Sequence, residues 1–354
     1  MLQYQSKGKR ENNQSLYVGI DVGKANWLVT IMTNEMEIKT MTSAANPKKL
    51  ADYLKKAFKG YTINSVYEAG YCGFWIHDEL VKNGIKNIIV NPADVPRSNK
   101  EKKTKTDKID SRTLARTLRA GILTGIHVPE EEMVSERNIL RLRETLVKDQ
   151  TRAKNRIKSL MSSIGVEVEG TEKNWSKGYI EKLSKIEMKE GNKLKLDMYI
   201  VDLKRKKEDI LQVTRKIREL AKTDKYKEGM KILMSVPGIG SIWAMVILTE
   251  IGDINRFRRF DYLNNYVGLI PTEHSSGVKE KKGHINPRGN KRLKNVIVEA
   301  AWIAIRTDEA LKKEYQRLIK RMSHSRAIIV IGRKLLSSIY HIMKLKETYK
   351  SQVA

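Results

Sequence analysis

Four acidic residues have the types and spacing needed to bind hard divalent cations. Asp21 and Glu68 each end an apolar run of strand-forming residues, and Asp107 and Asp110 stand three positions apart at the start of a predicted helix. Carboxylates at two strand ends and an i, i+3 helical pair can converge on one point, where oxygen ligands suit Mg²⁺. Paired Mg²⁺ ions stabilise the attacking and leaving oxygens of a phosphodiester. The pattern therefore predicts a metal-dependent phosphoryl-transfer site.

Three of the four acidic residues, taken alone, also have a structural explanation. Asp21 is in the sequence Gly-Ile-Asp-Val-Gly-Lys, where an aspartate can cap a turn, and Asp107 and Asp110 favour a helix N-terminus. The same glycine-bounded motif opens actin-like kinases, but the second Asp-x-Gly phosphate turn of those proteins is missing here. The four residues together, in register, favour the metal site.

The elements that must position these carboxylates belong to the first third of the chain. Apolar alternation and helical spacing predict strands and helices at 16–22, 26–33, 36–42, 47–58, 63–68, 73–83, 86–90 and 107–120. Their order, βββαβαβα, is typical of an α/β RNase H-like domain with three leading antiparallel strands. We place this domain at 16–130, after a disordered tail at 1–15.

The rest of the chain is predicted to be α-helical. In 135–222 apolar residues recur every three or four positions on both sides of an interruption at 162–180. These residues are Ile139, Leu142, Leu146, Ala153, Ile157, Leu160, Ile210, Val213, Ile217 and Leu220. The spacing fits an antiparallel hairpin, an intermolecular coiled coil or an amphipathic pair packed on its own domain. We place a coiled-coil domain at 135–222. A mainly helical domain follows at 228–347 and is broken by a Gly-rich loop between 268 and 290.

The charge of the chain indicates a nucleic-acid partner. The 354 residues include 69 basic and 41 acidic ones, a net charge of +28. No apolar stretch spans a bilayer and the N-terminus is no signal peptide, so no membrane partner is expected. The single cysteine, Cys72, fits the cytoplasm and, with six scattered histidines, shows no zinc-ligand spacing.

Particular basic and glycine residues are candidates for phosphate contacts. The sequence Pro-Gly-Ile-Gly at 237–240 matches a helix-hairpin-helix, whose glycines can leave backbone N–H groups open to a phosphate. The basic segment before Asp107 and the cations of the Gly-rich loop could bind the backbone of a nucleic acid, although charge runs are often only solvated surface. The predicted nucleic-acid-binding residues are Lys24, Lys100, Lys102, Lys103, Lys105, Arg112, Gly238, Gly240, Lys279, Lys282, Arg288, Lys291 and Arg292.

Two serines in the Gly-rich loop are candidate nucleophiles. Ser275 and Ser276 precede Gly277 among many lysines and arginines. Such serines are commonly turn residues, but a cationic setting can also hold a phosphate while a hydroxyl attacks it.

In combination, these motifs resemble the DEDD-type insertion-sequence transposases, also called bridge-RNA-guided recombinases, over about 15–345. The first half is similar through Gly-Ile-Asp-Val-Gly-Lys, Tyr-Glu-Ala-Gly and Thr-Asp-x-x-Asp. The last third is similar through Pro-Gly-Ile-Gly, Gly-Leu-x-Pro, Ser-Ser-Gly and Gly-Asn-x-x-Leu. The family's Gly-x-Ile-Ser/Thr-Lys-x-Gly motif is altered here, because Asn286 and Pro287 replace the hydroxyl residue and the lysine.

The resemblance implies a RuvC-like first domain, a coiled-coil domain and a transposase domain. It implies that Asp21, Glu68, Asp107 and Asp110 bind Mg²⁺ and that Ser276, with Ser275 as the alternative, becomes joined to DNA. It also implies a guide (bridge) RNA, donor and target DNA, and a homodimer or homotetramer in which serine and carboxylates can come from different protomers.

Two other functions are consistent with the sequence. A metal-only junction resolvase would use the carboxylates and leave the serine passive. A non-catalytic nucleic-acid scaffold would use neither.

Overall fold

The computed structural model describes residues 14–96, 107–166, 175–276, 279–285 and 288–351, with the backbone alone at 107–108, 271–276 and 279–285. The predicted tail therefore lies almost wholly outside the described residues. The chain divides into two compact units, Met1–Val128 and Pro129–Ala354. The long middle helices and the C-terminal helices belong to the same unit.

The first unit contains a five-stranded mixed sheet. Its elements are β1 Ser15–Val22, β2 Asn26–Met32, β3 Glu37–Ala44, α1 Pro47–Ala57, β4 Thr62–Glu68, α2 Trp75–Lys82, β5 Lys86–Val90 and α3 Asp107–Arg119. The strand order is β3-β2-β1-β4-β5, in which β1–β2 and β2–β3 are antiparallel and β1–β4 and β4–β5 are parallel. The predicted order βββαβαβα is confirmed, with bounds that differ by one or two residues.

The two faces of this sheet carry different side chains. On β1, Leu16, Val18 and Ile20 are fully buried in a core that also includes Leu50 of α1 and Ile76 of α2. The alternate positions of a strand point to the opposite face, which α3 covers.

Helix α3 lies against β1 because Gly19 has no side chain. A Cβ at Gly19 would lie 2.1 Å from the carbonyl oxygen of Ser111 and 2.5 Å from the amide nitrogen of Ala115. The hydroxyls of Thr30 on β2 and Ser111 share a buried hydrogen bond of 2.9 Å. The glycine of the Gly-Ile-Asp-Val-Gly-Lys motif therefore fixes the distance between α3 and the sheet.

The second unit begins with a long antiparallel helical hairpin. Its helices are α4 Glu131–Ser163, α5 Lys177–Ser184 and α6 Glu190–Leu220. Arg143 donates to Thr214 near the base, and Arg156 and Asp202 form an ion pair further out. The pairing thus lies within one chain. Leu142 does not pack inside this hairpin, because its side chain is 49% exposed.

The base of the hairpin packs into a larger helical core. Leu140 and Ile217 belong to one buried cluster with residues of the following helices. Those helices are α7 Asp224–Met234, α8 Ser241–Ile251, α9 Phe260–Val267, α10 Lys291–Thr307, α11 Glu309–Ile319 and α12 His324–Leu345. Across the described residues, each helix is too short or too polar to cross a membrane.

The predicted Gly-rich loop is instead a β-hairpin. Strands β6 Pro271–Ser276 and β7 Lys279–Ile285 pair antiparallel as a separate two-stranded sheet. The prediction of a loop there is wrong, because backbone pairing between these segments overrides the weak strand propensity of their lysines and serines.

Candidate functional site

Two of the predicted carboxylates lie at neighbouring strand ends. Ile20 of β1 and Tyr67 of β4 are partners in the parallel register, so Asp21 and Glu68 follow side by side. Strand alternation places Asp21 on the same face as Gly19, and Glu68 on the same face as Val66. Val66 packs with Leu114 of α3. Both carboxylates therefore belong to the face that α3 covers, at the carboxyl ends of parallel strands, where α/β sheets commonly bind ligands.

Helix α3 carries the third carboxylate to the same edge. Leu118, near its end, lines a cavity with Asn64 and Lys86, at the amino ends of β4 and β5. The helix thus runs antiparallel to these strands. Asp110 precedes Leu114 by one turn, about 6 Å, and Glu68 follows Val66 by two strand residues, about 7 Å. Asp110, which is 9% exposed, therefore lies level with Glu68.

Asp107 is the first residue of α3, one turn beyond Asp110, and its side chain lies outside the described residues. Among the side chains that are described, no three His, Cys, Asp or Glu residues are close enough together to hold a metal ion. The chemistry of the set nevertheless fits a hard cation, because all four members supply carboxylate oxygens. Metal binding by the four residues stays a prediction.

The basic residues predicted to bind nucleic acid near this edge differ in their surroundings. Lys24 is exposed in the turn after β1. Arg112 forms a bidentate ion pair with Glu37 at 2.8 and 2.9 Å, and this pairing lowers the pKa of the Glu37 carboxyl. Glu37 occupies Nε and Nη2 of Arg112 and offsets its charge, which weakens the attraction of Arg112 for a phosphate. Lys100, Lys102, Lys103 and Lys105 lie outside the described residues.

The two glycines of the helix-hairpin-helix have separate structural roles. Gly238 has φ +84°, and a Cβ there would lie 2.4 Å from the carbonyl oxygen of Ala300. Gly238 is therefore required for packing against α10. Gly240 is the N-cap of α8, makes no side-chain cap bond and has open space around its Cα. Of the two, only Gly240 leaves room for a phosphate.

The two candidate serines end strand β6. Ser275 pairs with Glu280 and Ser276 with Lys279, so both lie at the tip of the hairpin. The side chains of Ser275, Ser276, Lys279 and Lys282 lie outside the described residues.

The hairpin is anchored at its base by two glycines in left-handed conformations. Gly268 has φ +80° and Gly289 has φ +113°, and a Cβ on Gly289 would lie 2.8 Å from the Cα of Gly268. The amide of Asn290 donates to the carbonyl of Tyr266 at 2.8 Å. This explains the Gly-Leu-x-Pro and Gly-Asn motifs, because any side chain here would separate the two ends of the hairpin.

A buried carboxylate that the sequence analysis missed holds this base in place. Glu250, 4% exposed, accepts from Asn290 at 2.9 Å and from Arg141 of α4 at 3.1 Å. The neighbouring Arg137 is buried and donates to the carbonyl of Thr249 at 2.7 Å. An acidic residue inside the apolar run of α8 was the available signal, because buried charges need partners.

The basic residues beside the hairpin have different surroundings. Arg292 is bound to Glu144 at 2.8 Å. Lys291, in the first turn of α10, and Arg288 are exposed. Lys291 therefore has clearer access to a phosphate than Arg292, which is paired with Glu144.

Two family models match the chain at the regions that carry these features. A DEDD transposase model of the IS110 group matches 18–166, and a model of the IS116/IS110/IS902 transposase family matches 230–316. The first match contains all four carboxylates and the second contains the serine hairpin.

Two similar proteins span most of the chain, and a third spans less than half of it. The transposase for insertion sequence element IS1533 of Leptospira borgpetersenii is 27% identical over 82% of this chain and 85% of its own length. The transposase for IS1111A of Coxiella burnetii is 26% identical over 75% of this chain and 74% of its own length. The pilin gene-inverting protein of Moraxella bovis is 28% identical over 41% of this chain and 47% of its own length.

Proposed function

Because the chain belongs to the DEDD-type transposases of insertion sequences, we propose that it is an RNA-guided recombinase that cuts and rejoins DNA to move such an element. The observation that carries the proposal is the shared sheet edge of Asp21, Glu68 and Asp110 inside the matched region. The first unit then has the RuvC-like version of the RNase H fold. A relative that inverts a gene segment also supports strand exchange.

In this proposal Asp21, Glu68, Asp107 and Asp110 hold Mg²⁺, which would stabilise the charge of the reacting phosphate. Ser276 supplies the nucleophile. Its Oγ forms a bond to phosphorus while the bond from phosphorus to one sugar oxygen breaks, and the serine proton passes to a base. The freed sugar oxygen takes up a proton as the leaving group. The covalent serine–phosphate bond keeps the energy of the broken phosphodiester for rejoining.

Nucleic-acid binding in this proposal relies on the net charge of +28. Exposed Lys24, Lys291 and Arg288 would bind backbone phosphates, with Gly240 at the uncapped start of α8. The guide RNA is the transcript of non-coding sequence beside the gene, and donor and target DNA pair with it.

The test is recombination with purified parts. Wild-type protein, Mg²⁺, the flanking transcript and two labelled DNAs should give a joined product only when all are present. Purified protein should also carry RNase-sensitive nucleic acid, with affinity that falls steeply as salt rises. Joining that proceeds equally without the transcript would contradict RNA guidance.

We further propose that α6 mediates self-association. Leu194, Met198 and Val201 are 65, 63 and 61% exposed and follow i, i+4, i+7 spacing, which forms one stripe on the helix. Replacing all three with Gln should lower the mass measured by light scattering to that of a smaller oligomer. Leu211→Gln is the matched control, because Leu211 is 57% exposed but lies about 100° around the helix from the stripe.

These substitutions change only exposed side chains and should leave the fold intact, whereas deletion of 135–222 would not. Removing 135–222 would take Leu140 and Ile217 out of the core of the second unit. An unchanged mass in the triple variant would contradict association through α6.

A further inference from the structure

The first unit exposes two large aromatic side chains at the sheet edge of the carboxylates. Trp75, the first residue of α2, is 50% exposed, and Tyr71, in the loop after β4, is 65% exposed. The same unit buries Trp27 and Tyr67 to 1% or less exposure. Two exposed aromatics that lie close together form a larger apolar patch than one scattered residue, and such patches commonly mark binding sites.

These aromatics line a hollow of about 360 Å³, within the size range of ligand sites. Val22, Gly23 and Lys24 form one wall, and Tyr71, Cys72 and Trp75 form another. Among the described residues that line it, Lys24 is the sole charged side chain. An apolar floor, two aromatic rings and one cation favour an occupant with a flat ring and a negative charge.

The hollow is adjacent to the candidate catalytic edge in sequence and in space. Val22 follows Asp21 directly, and Tyr71 comes three residues after Glu68. The Tyr71 hydroxyl donates to the carbonyl of Val22 at 3.4 Å, which joins the loop after β4 to the end of β1. Ile76 and Trp27 belong to the core on the α1–α2 face, so the hollow opens on the opposite side of the edge from Asp21 and Glu68. A nucleic-acid strand that crosses this edge can reach both the hollow and the carboxylates.

We propose that Trp75, Tyr71 and Lys24 form a cradle for one unpaired nucleobase of the DNA strand being cut, next to the scissile phosphate. The proposal rests on the function proposed above. A paired base has both faces covered by its neighbours in the stack, whereas an unpaired base can stack on an aromatic ring whatever its identity. Lys24 would bind the adjoining phosphate as a point charge. The site would thus act on DNA that is locally unpaired.

The test measures DNA binding in EDTA, which removes the divalent cation that cleavage would need. The probes are single-stranded DNA oligonucleotides that each contain 2-aminopurine at a different position. Stacking of this base on an aromatic ring lowers its fluorescence. We expect quenching at one or two positions with wild type. Trp75→Ala should remove the quenching and weaken single-strand affinity by about ten-fold, while Trp75→Phe keeps most of both. Affinity for fully paired DNA should stay within about two-fold, because duplex binding uses phosphates alone.

Matched variants separate the cradle from general effects. Val81→Ala on the same helix α2, at a side chain 48% exposed, should behave like wild type. Lys24→Gln should reduce the salt dependence of single-strand binding by about one counterion. Because Trp75 is half-buried, thermal melting of Trp75→Ala is measured first, and binding is compared well below the melting temperature of each protein.

Equal single-strand affinity and quenching in Trp75→Ala and wild type would overturn the cradle. Quenching by an RNA oligonucleotide of the same sequence but not by DNA would overturn the assignment to the cut strand. A wild type that quenches the probe but cuts no DNA would keep the cradle and overturn the proposed function.

Discussion

Replacing Asp21 with Asn is expected to lower the single-turnover rate of DNA cleavage in Mg²⁺ by about a hundred-fold or more. Asn keeps the size of the side chain and removes its charge, which weakens a hard cation's ligand set. Loss of residues that merely support metal ligands costs about 10- to 100-fold, so loss of a ligand should cost at least the upper value. Glu68→Gln, Asp107→Asn and Asp110→Asn should give similar losses, because all four would share the same cations.

The control for this series is Asp52→Asn. Asp52 is exposed on α1, which packs on the face of the sheet opposite to α3, and its change should leave cleavage within about two-fold. Binding of the nucleic acids should be retained or improved in the four variants, since each removes a negative charge. Full cleavage activity in any one of them would remove that residue from the site, and full activity in all four would contradict a cleavage reaction that uses the carboxylates. A wild type that cuts no DNA and behaves like the four variants would favour the non-catalytic scaffold.

Replacing Ser276 with Ala is expected to abolish the protein–DNA adduct and the joined product. A serine hydroxyl is a weak nucleophile that needs an activating group, and Ala has no oxygen to join to phosphorus. Labelled DNA, guide RNA and Mg²⁺ with each protein, run on denaturing gels, would measure the adduct. Ser275→Ala is the matched control, because Ser275 is the neighbouring residue of the same strand and carries the same hydroxyl group.

Other outcomes have distinct meanings. An adduct lost only in Ser275→Ala would move the nucleophile by one residue. Recombination that survives both changes would contradict serine chemistry and leave the metal-only junction resolvase.

The first unit could be predicted closely because its signals are local. The apolar runs ending at Asp21 and Glu68 became β1 and β4, and the Asp107–Asp110 pair starts α3. Apolar residues at every second position of a strand, or about every 3.6 positions of a helix, indicate directly which face of the element is buried. Gly19, two residues before Asp21, was also visible in the sequence. Its role in bringing α3 against the sheet depends on Ser111, which is far along the chain.

The serine region was harder to predict because its structure depends on distant residues. The strands β6 and β7 contain many lysines and serines, which do not favour strands, and their pairing is supported by the Gly268–Gly289 contact. The network of Glu250, Arg141 and Asn290 joins three helices that are far apart in sequence. Helix α5, which begins at the end of the predicted interruption at 162–180, was missed, since eight residues give a weak helical period.

The most direct test of the account is mass spectrometry of the adduct. After nuclease and trypsin treatment, the peptide 260–279 contains both candidate serines. We expect a nucleotide remnant on Ser276 in wild type with Mg²⁺, and none in EDTA or in Asp21→Asn. A remnant on a residue other than Ser275 or Ser276, or one formed equally in EDTA and in Asp21→Asn, would contradict a serine that depends on the carboxylate site.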